Sequence, residues 1–153
     1  MKHILTFLVF CITLNHTFAQ TELESNYIDD QGLPFSGLYK SFDGQNRLVY
    51  TAQVLDGALH GTITYFDIDG RIDQLGLYSM GEKQGKWEQF NDHGALVGQA
   101  FYQKGLKHGI WSVWDDNGVK RYHMVYDNGQ KVDVWKVYNE KEVLVAERSY
   151  SKK

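Results

Sequence analysis

A period of 24 residues runs through this chain without slipping. Residues 57–80 read GALHGTITYFDIDGRIDQLGLYSM, residues 81–104 read GEKQGKWEQFNDHGALVGQAFYQK, and residues 105–128 read GLKHGIWSVWDDNGVKRYHMVYDN. A fixed period of this size marks a repeat architecture, in which each copy is too small to bury its apolar face alone and does so against its neighbours. Gly57, Gly81, Gly105 and Gly129 form one column, and Gly37, Gly61, Gly85 and Gly109 a second. Gly70, Gly94 and Gly118 form a third. Eleven of the chain's 15 glycines fall in these columns, so they mark backbone geometry that recurs. Two aromatic columns run between them: Tyr39, Ile63, Trp87, Trp111 and Trp135, then Phe42, Phe66, Phe90, Trp114 and Tyr138. Tyr78, Tyr102, Tyr126 and Tyr150 close the units, with Val54 in that place in the first.

Each unit has a mechanical reading. Residues 81–85 read as a turn, because Gly81 and Gly85 supply backbone angles that side chains with a Cβ avoid. The same reading makes Gly57, Gly61, Gly105, Gly109 and Gly129 turn residues. Residues 86–90 then form a short aromatic-rich strand. Asn91, Asp92 and His93 lead into Gly94 at the left-handed place of a second turn, repeated at Gly70 and Gly118. Residues 95–102 form the return strand. The expected fold is all-β: a single elongated, twisted antiparallel meander of β-hairpins built from five 24-residue repeats. The units are residues 33–56, 57–80, 81–104, 105–128 and 129–153, together a repeat domain over 33–153. The last unit is atypical, with Asp133 and Glu142 in glycine columns; terminal repeats commonly depart from the pattern.

Residues 1–19 carry a basic start at Lys2, a mostly apolar run and a Thr17-Phe18-Ala19 end. They read as a secretory signal peptide cut before Gln20, too short in its apolar part for the ~18–20 residues that span a bilayer. The expected location is periplasmic or secreted, with no integral membrane segment after cleavage. Residues 20–32 form a polar N-terminal segment, a tether or a loose first strand around Tyr27 and Ile28. Cys11 is the only cysteine, so the mature chain offers no thiolate nucleophile and no cysteine zinc site. Loss of Lys2 leaves 15 basic against 19 acidic residues, a net charge of 15 − 19 = −4. That balance argues against a nucleic-acid binder.

The spacings Gly85-x-Trp87-x-x-Phe90 with Gly94, and His108-Gly109-x-Trp111-x-x-Trp114 with Gly118, resemble bacterial MORN-repeat variants. The resemblance covers residues 32–150. It implies hairpins stacked into an open, curved sheet, and binding or scaffolding as the role. Lipid association and dimerisation are claimed for some eukaryotic members, and some bacterial relatives are described as antitoxin components. The family implies no catalytic residues.

The row Trp87, Trp111 and Trp135, with Trp114 beside it, is the sharpest candidate partner surface. Flat rings at regular intervals stack sugars or a partner's apolar side chains; the competing reading makes them core, since aromatic residues are the available core material. His60 and His108 stand two units apart, too far to share one ion, and read as turn residues. Asp67-Ile68-Asp69-Gly70 lacks the remaining ligands of a calcium loop. No phosphate loop or nucleophile elbow is present. The reading assigns no catalytic residue, no metal and no cofactor. The expected function is an exported, non-catalytic module for protein–protein interaction or scaffolding in the cell envelope. The alternatives are an envelope-glycan binder using exposed aromatic rings, or an exported toxin inhibitor. The expected partner is another protein, with a glycan as the alternative; a homodimer is compatible with either.

Overall fold

The computed structural model describes residues 26–151. The expected signal peptide and residues 20–25 lie outside the described residues. Eleven strands follow in order: β1 (Gly37–Phe42), β2 (Leu48–Leu55), β3 (Ala58–Phe66), β4 (Ile72–Ser79), β5 (Glu82–Phe90), β6 (Leu96–Gln103), β7 (Leu106–Lys107), β8 (Gly109–Trp114), β9 (Lys120–Asp127), β10 (Gln130–Tyr138) and β11 (Leu144–Tyr150). They form one open antiparallel sheet in chain order, with β7 and β8 successive parts of one line beside β6. Ten such lines at ~4.8 Å spacing make an all-β meander about 45 Å across, as the repeat predicts.

Two kinds of connection alternate, and each follows from local chemistry. Leu55 pairs with Ala58, Ser79 with Glu82, Gln103 with Leu106 and Asp127 with Gln130, so two residues link each of these strand pairs. Both linking residues have positive φ: Asp56-Gly57, Met80-Gly81, Lys104-Gly105 and Asn128-Gly129. Positive φ at both places is the type I′ turn, whose twist matches that of the strands it joins. The other connections are five-residue loops fastened by their first side chain. Asp43 Oδ1 accepts the N–H groups of Gln45 and Arg47, and Asp67, Asn91, Asp115 and Asn139 repeat this pattern. The left-handed fourth place holds Asn46, Gly70, Gly94, Gly118 and Glu142.

Gly61, Gly85 and Gly109 correct the turn assignment. The turn is complete at Gly57, Gly81 and Gly105; Gly61 and Gly85 lie inside β3 and β5, and Gly109 opens β8. Between β4 and β5, Leu75 pairs with Glu88 but Leu77 with Gln84, so β5 carries two extra residues. The same shift separates β2 from β3 and β9 from β10. Each is a bulge, which takes a left-handed residue and sharpens local twist. Asp133 adopts the same left-handed conformation, with φ 60°, so the last unit keeps the geometry without the glycine.

Trp87, Trp111 and Trp135 face the core and are 0%, 2% and 1% exposed. Each indole N–H donates to a carbonyl on the preceding strand: Trp87 to Leu77 at 3.2 Å, Trp111 to Phe101 at 3.0 Å, and Trp135 to Val125 at 3.0 Å. Tyrosines fill the gaps between them. Ring centroids along Tyr78, Trp87, Tyr102, Trp111, Tyr126, Trp135 and Tyr150 stand 5.3, 6.0, 5.2, 5.2, 5.1 and 5.0 Å apart, within the range of favourable edge and tilted contacts. Gly76 lies under the Trp87 ring, where a Cβ would come within 2.3 Å of it.

The described part of the polar N-terminal segment belongs to the folded body. Asp29 fastens its own turn through the N–H groups of Gln31 and Leu33, and Ile28 bridges Pro34. This places Tyr27, 2% exposed, edge-on against Tyr39 with centroids 4.7 Å apart. The Tyr27 N–H donates to Gly57 O, so the segment covers the first end of the aromatic row.

Candidate functional site

Strand alternation divides the aromatic columns between two faces. The tryptophans at one place in each first strand face the core, and the column three residues further on faces away. Trp87, Trp111 and Trp135 are therefore not surface residues: no partner reaches their ring faces. Three lysines complete the seal over them. Lys83 Nζ stands 4.0 Å from the Trp87 ring centroid and 5.2 Å from that of Tyr102. Lys107 stands 4.6 Å from Trp111, and Lys131 4.6 Å from Trp135. Their alkyl stems cover apolar surface while the ammonium meets the ring's negative face. The first two units hold Phe35 with Tyr39 and Leu59 with Ile63 at the same places, so lysine accompanies tryptophan. Burial, and then the Lys107 charge, pushes the Lys83 ammonium down to about 8.

Trp114 is the one predicted surface tryptophan that remains at the surface. It is half-buried, cross-strand from Lys120, whose Nζ lies 5.6 Å from its ring centroid. It belongs to a row of equivalent cross-strand pairs: Phe42 with Leu48, Phe66 with Ile72, Phe90 with Leu96, Trp114 with Lys120, and Tyr138 with Leu144. None of these rings packs against the buried cluster. Rings recur at every second strand line, roughly 10 Å apart. Between Leu48 of the first pair and Phe66 of the second lies a depression of about 280 Å³, lined by Arg47, Leu48, Phe66, Asp67, Ile68, Asp69 and Gly70. The three-residue offset of the Phe42, Phe66 and Phe90 column from the tryptophan column is the sequence signal that puts the two on opposite faces; which of the two is the outer face is what the structure adds.

The ionisable groups serve the loops. Asp67 is held below the usual carboxylate range first by the backbone N–H of Arg71 and also by its side chain, and Asp43 likewise by Arg47. Arg71 also pairs with Asp69, so the Asp67–Gly70 loop spends its carboxylates on its own backbone and arginine. His108 Nδ1 lies 3.5 Å from Asp127 Oδ1, next to the Gly109–Tyr126 pair of β8 and β9. Gln84 Oε1 at the same column accepts the Lys104 N–H, which gives this column a fastening role. Among the described residues no three His, Cys, Asp or Glu side chains converge as metal ligands would, and no helix is long and apolar enough to cross a membrane.

No family model matches the sequence, and no curated protein matches it at a significant level. Among solved structures, the chain is similar to a crystal structure of TarM, with 16% identity, a TM-score of 0.42, and coverage of 81% of this chain and 24% of that one. A second structure, an S. aureus TarM mutant in complex with fondaparinux, alpha-GlcNAc-glycerol and UDP, gives 17% identity, a TM-score of 0.42 and coverage of 82% and 23%. This chain thus spans about a quarter of the length of those chains.

Proposed function

We propose that this chain is an exported, non-catalytic repeat module that holds another protein in the cell envelope. The observation that carries this reading is the far side of β11. Among the described residues β11 pairs only with β10, and Val143, Leu144 and Val145 are 54%, 44% and 57% exposed. Such a strand offers its free backbone groups and alternate side chains to an incoming extended segment. The reading also draws on the MORN-type spacing, which implies scaffolding, and on the export signal in residues 1–19. The leading carboxylates of three loops, Asp43, Asp67 and Asp115, are committed to their own backbones.

The test is crosslinking in envelope extracts, with the mature chain as bait and Val145→Lys as the comparison. One stoichiometric protein partner, lost in Val145→Lys, supports the reading. A diffuse set of proteins, or one partner captured equally by both, overturns it.

A further inference from the structure

We propose that the surface ring row, Phe66, Phe90 and Trp114 above all, is a binding site for an uncharged, extended β-linked polysaccharide. This goes beyond protein binding at β11 and uses a different face of the sheet. Three observations carry it. The first is spacing. Rings recur in the same register on β1, β3, β5, β8 and β10, roughly 10 Å apart because each unit contributes two strands. In an extended chain of equatorially linked hexopyranoses successive sugars turn over, so the same apolar face recurs at every second sugar. That repeat is of similar length, and a sugar's C–H face stacks on a flat ring.

The second observation is the depression between the first two rungs. Its lining combines the apolar side chains of Leu48, Phe66 and Ile68 with the charged ones of Arg47, Asp67 and Asp69. Its volume of about 280 Å³ lies just below the common range for small-molecule sites. The third is charge. Arg47 pairs with Asp43, and Arg71 with Asp67 and Asp69. These two arginines stand against three aspartates, a net charge of 2 − 3 = −1, and both arginines are paired within the set, so it suits hydroxyl groups and repels a polyanion. Beside the rings, on the same face by register, run Thr64, Glu88, Gln99, His123 and Lys136, further partners for hydroxyls.

The sheet twists by roughly 20–25° per strand, so a stiff chain follows two or three neighbouring rungs and then leaves the row. Affinity therefore rises with ligand length and levels off near six sugars.

The probes are soluble β-1,4-linked N-acetylglucosamine oligomers of two, four and six sugars. An α-linked dextran fragment tests linkage, and a uronic-acid polymer tests charge. Binding is read by calorimetry and by Trp114 fluorescence. The hexamer is expected to bind at least about tenfold more tightly than the dimer, and Phe66→Ala and Trp114→Ala are each expected to weaken it about two- to tenfold, the range of one aromatic contact. Ile68→Ser, at a side chain 70% exposed, keeps the fold and is expected to weaken binding in the depression. Val145→Lys leaves sugar binding unchanged, which separates this proposal from protein binding at β11. No binding, equal affinity for all lengths, a preference for the uronic-acid polymer, equal binding of dextran, or full affinity in a folded Ile68→Ser variant overturns it. So does a protein partner that is lost on Trp114→Ala and competes with the oligomer.

Discussion

Trp111 is the ring on which the array depends most, and its removal has a calculable cost. The indole is 2% exposed, lies 5.2 Å from both Tyr102 and Tyr126, donates to Phe101 O, and carries Lys107 on its face. Truncating a buried tryptophan to alanine costs about 3–5 kcal/mol from lost transfer energy and the cavity left behind. The indole hydrogen bond contributes about 0.5–1.5 kcal/mol of that, and the lysine contact a similar amount. The environment collapses poorly, because both flanking tyrosines are fixed by the rings beyond them. A domain of this size has about 5–15 kcal/mol in total, so Trp111→Ala removes at least about a fifth of it. Trp111→Phe keeps a ring and loses the N–H, and is expected to cost about 1–2 kcal/mol. Because repeats contact only their neighbours, Trp135→Ala, next to the last strand, costs less. Urea titration followed by far-ultraviolet circular dichroism measures all three. A Trp111→Ala loss below about 1 kcal/mol, or a larger loss for Trp114→Ala, would refute the assignment of core and surface columns.

Gly76→Ala tests packing without backbone strain, since its φ is not positive and the atoms nearest the new Cβ belong to the Trp87 ring, at 2.3 Å; the expected loss is about 1–3 kcal/mol, read from the same titration. Met80 holds φ 47° ahead of Gly81, so Met80→Asn, giving the favoured Asn-Gly pair of a type I′ turn, is expected to gain about 0.5–1 kcal/mol in thermal denaturation. Lys83 gives a pH signature. Its folded pKa of about 8 lies below its ordinary 10.5, so between these values the unfolded chain holds a proton that the folded chain has released, and stability rises with pH. Buried tyrosines act in the opposite sense above pH 10: burial pushes Tyr102 up from 10.0, the unfolded phenol ionises first, and stability falls. The expected profile climbs from pH 8 towards 10 and then turns down; Lys83→Met loses the climb.

The architecture was legible because the glycine and aromatic columns recur at 24 residues through most units, and the period-two alternation of strands follows from it. The tryptophans were harder. Their columns announce flat rings at intervals, which can serve a surface as well as a core; the scarcity of other core material favours the core, and their burial decides it. The bulge was hidden because Gly81 and Gly85 together look like one turn, whereas Met80-Gly81 makes the turn and Gly85 supplies the left-handed residue inside the strand. Tyr27 stood in a segment that reads as a tether or a loose first strand, and its burial was not legible there: its neighbours are polar, and the Asp29 turn is what folds it back onto Tyr39. The surface ring row was visible as a column but carried no mark of its exposure except its offset from Trp87, Trp111 and Trp135.

The central claim is that the chain spends three tryptophans on its core and shows one, at the ring row, to the outside. Acrylamide and iodide quenching of the four tryptophans, in the natural chain and in Trp114→Phe, tests it most directly. The account predicts a single accessible component that disappears in Trp114→Phe, leaving emission that iodide does not reach. Accessible emission persisting undiminished in Trp114→Phe would contradict it, because Trp87, Trp111 or Trp135 would then face water.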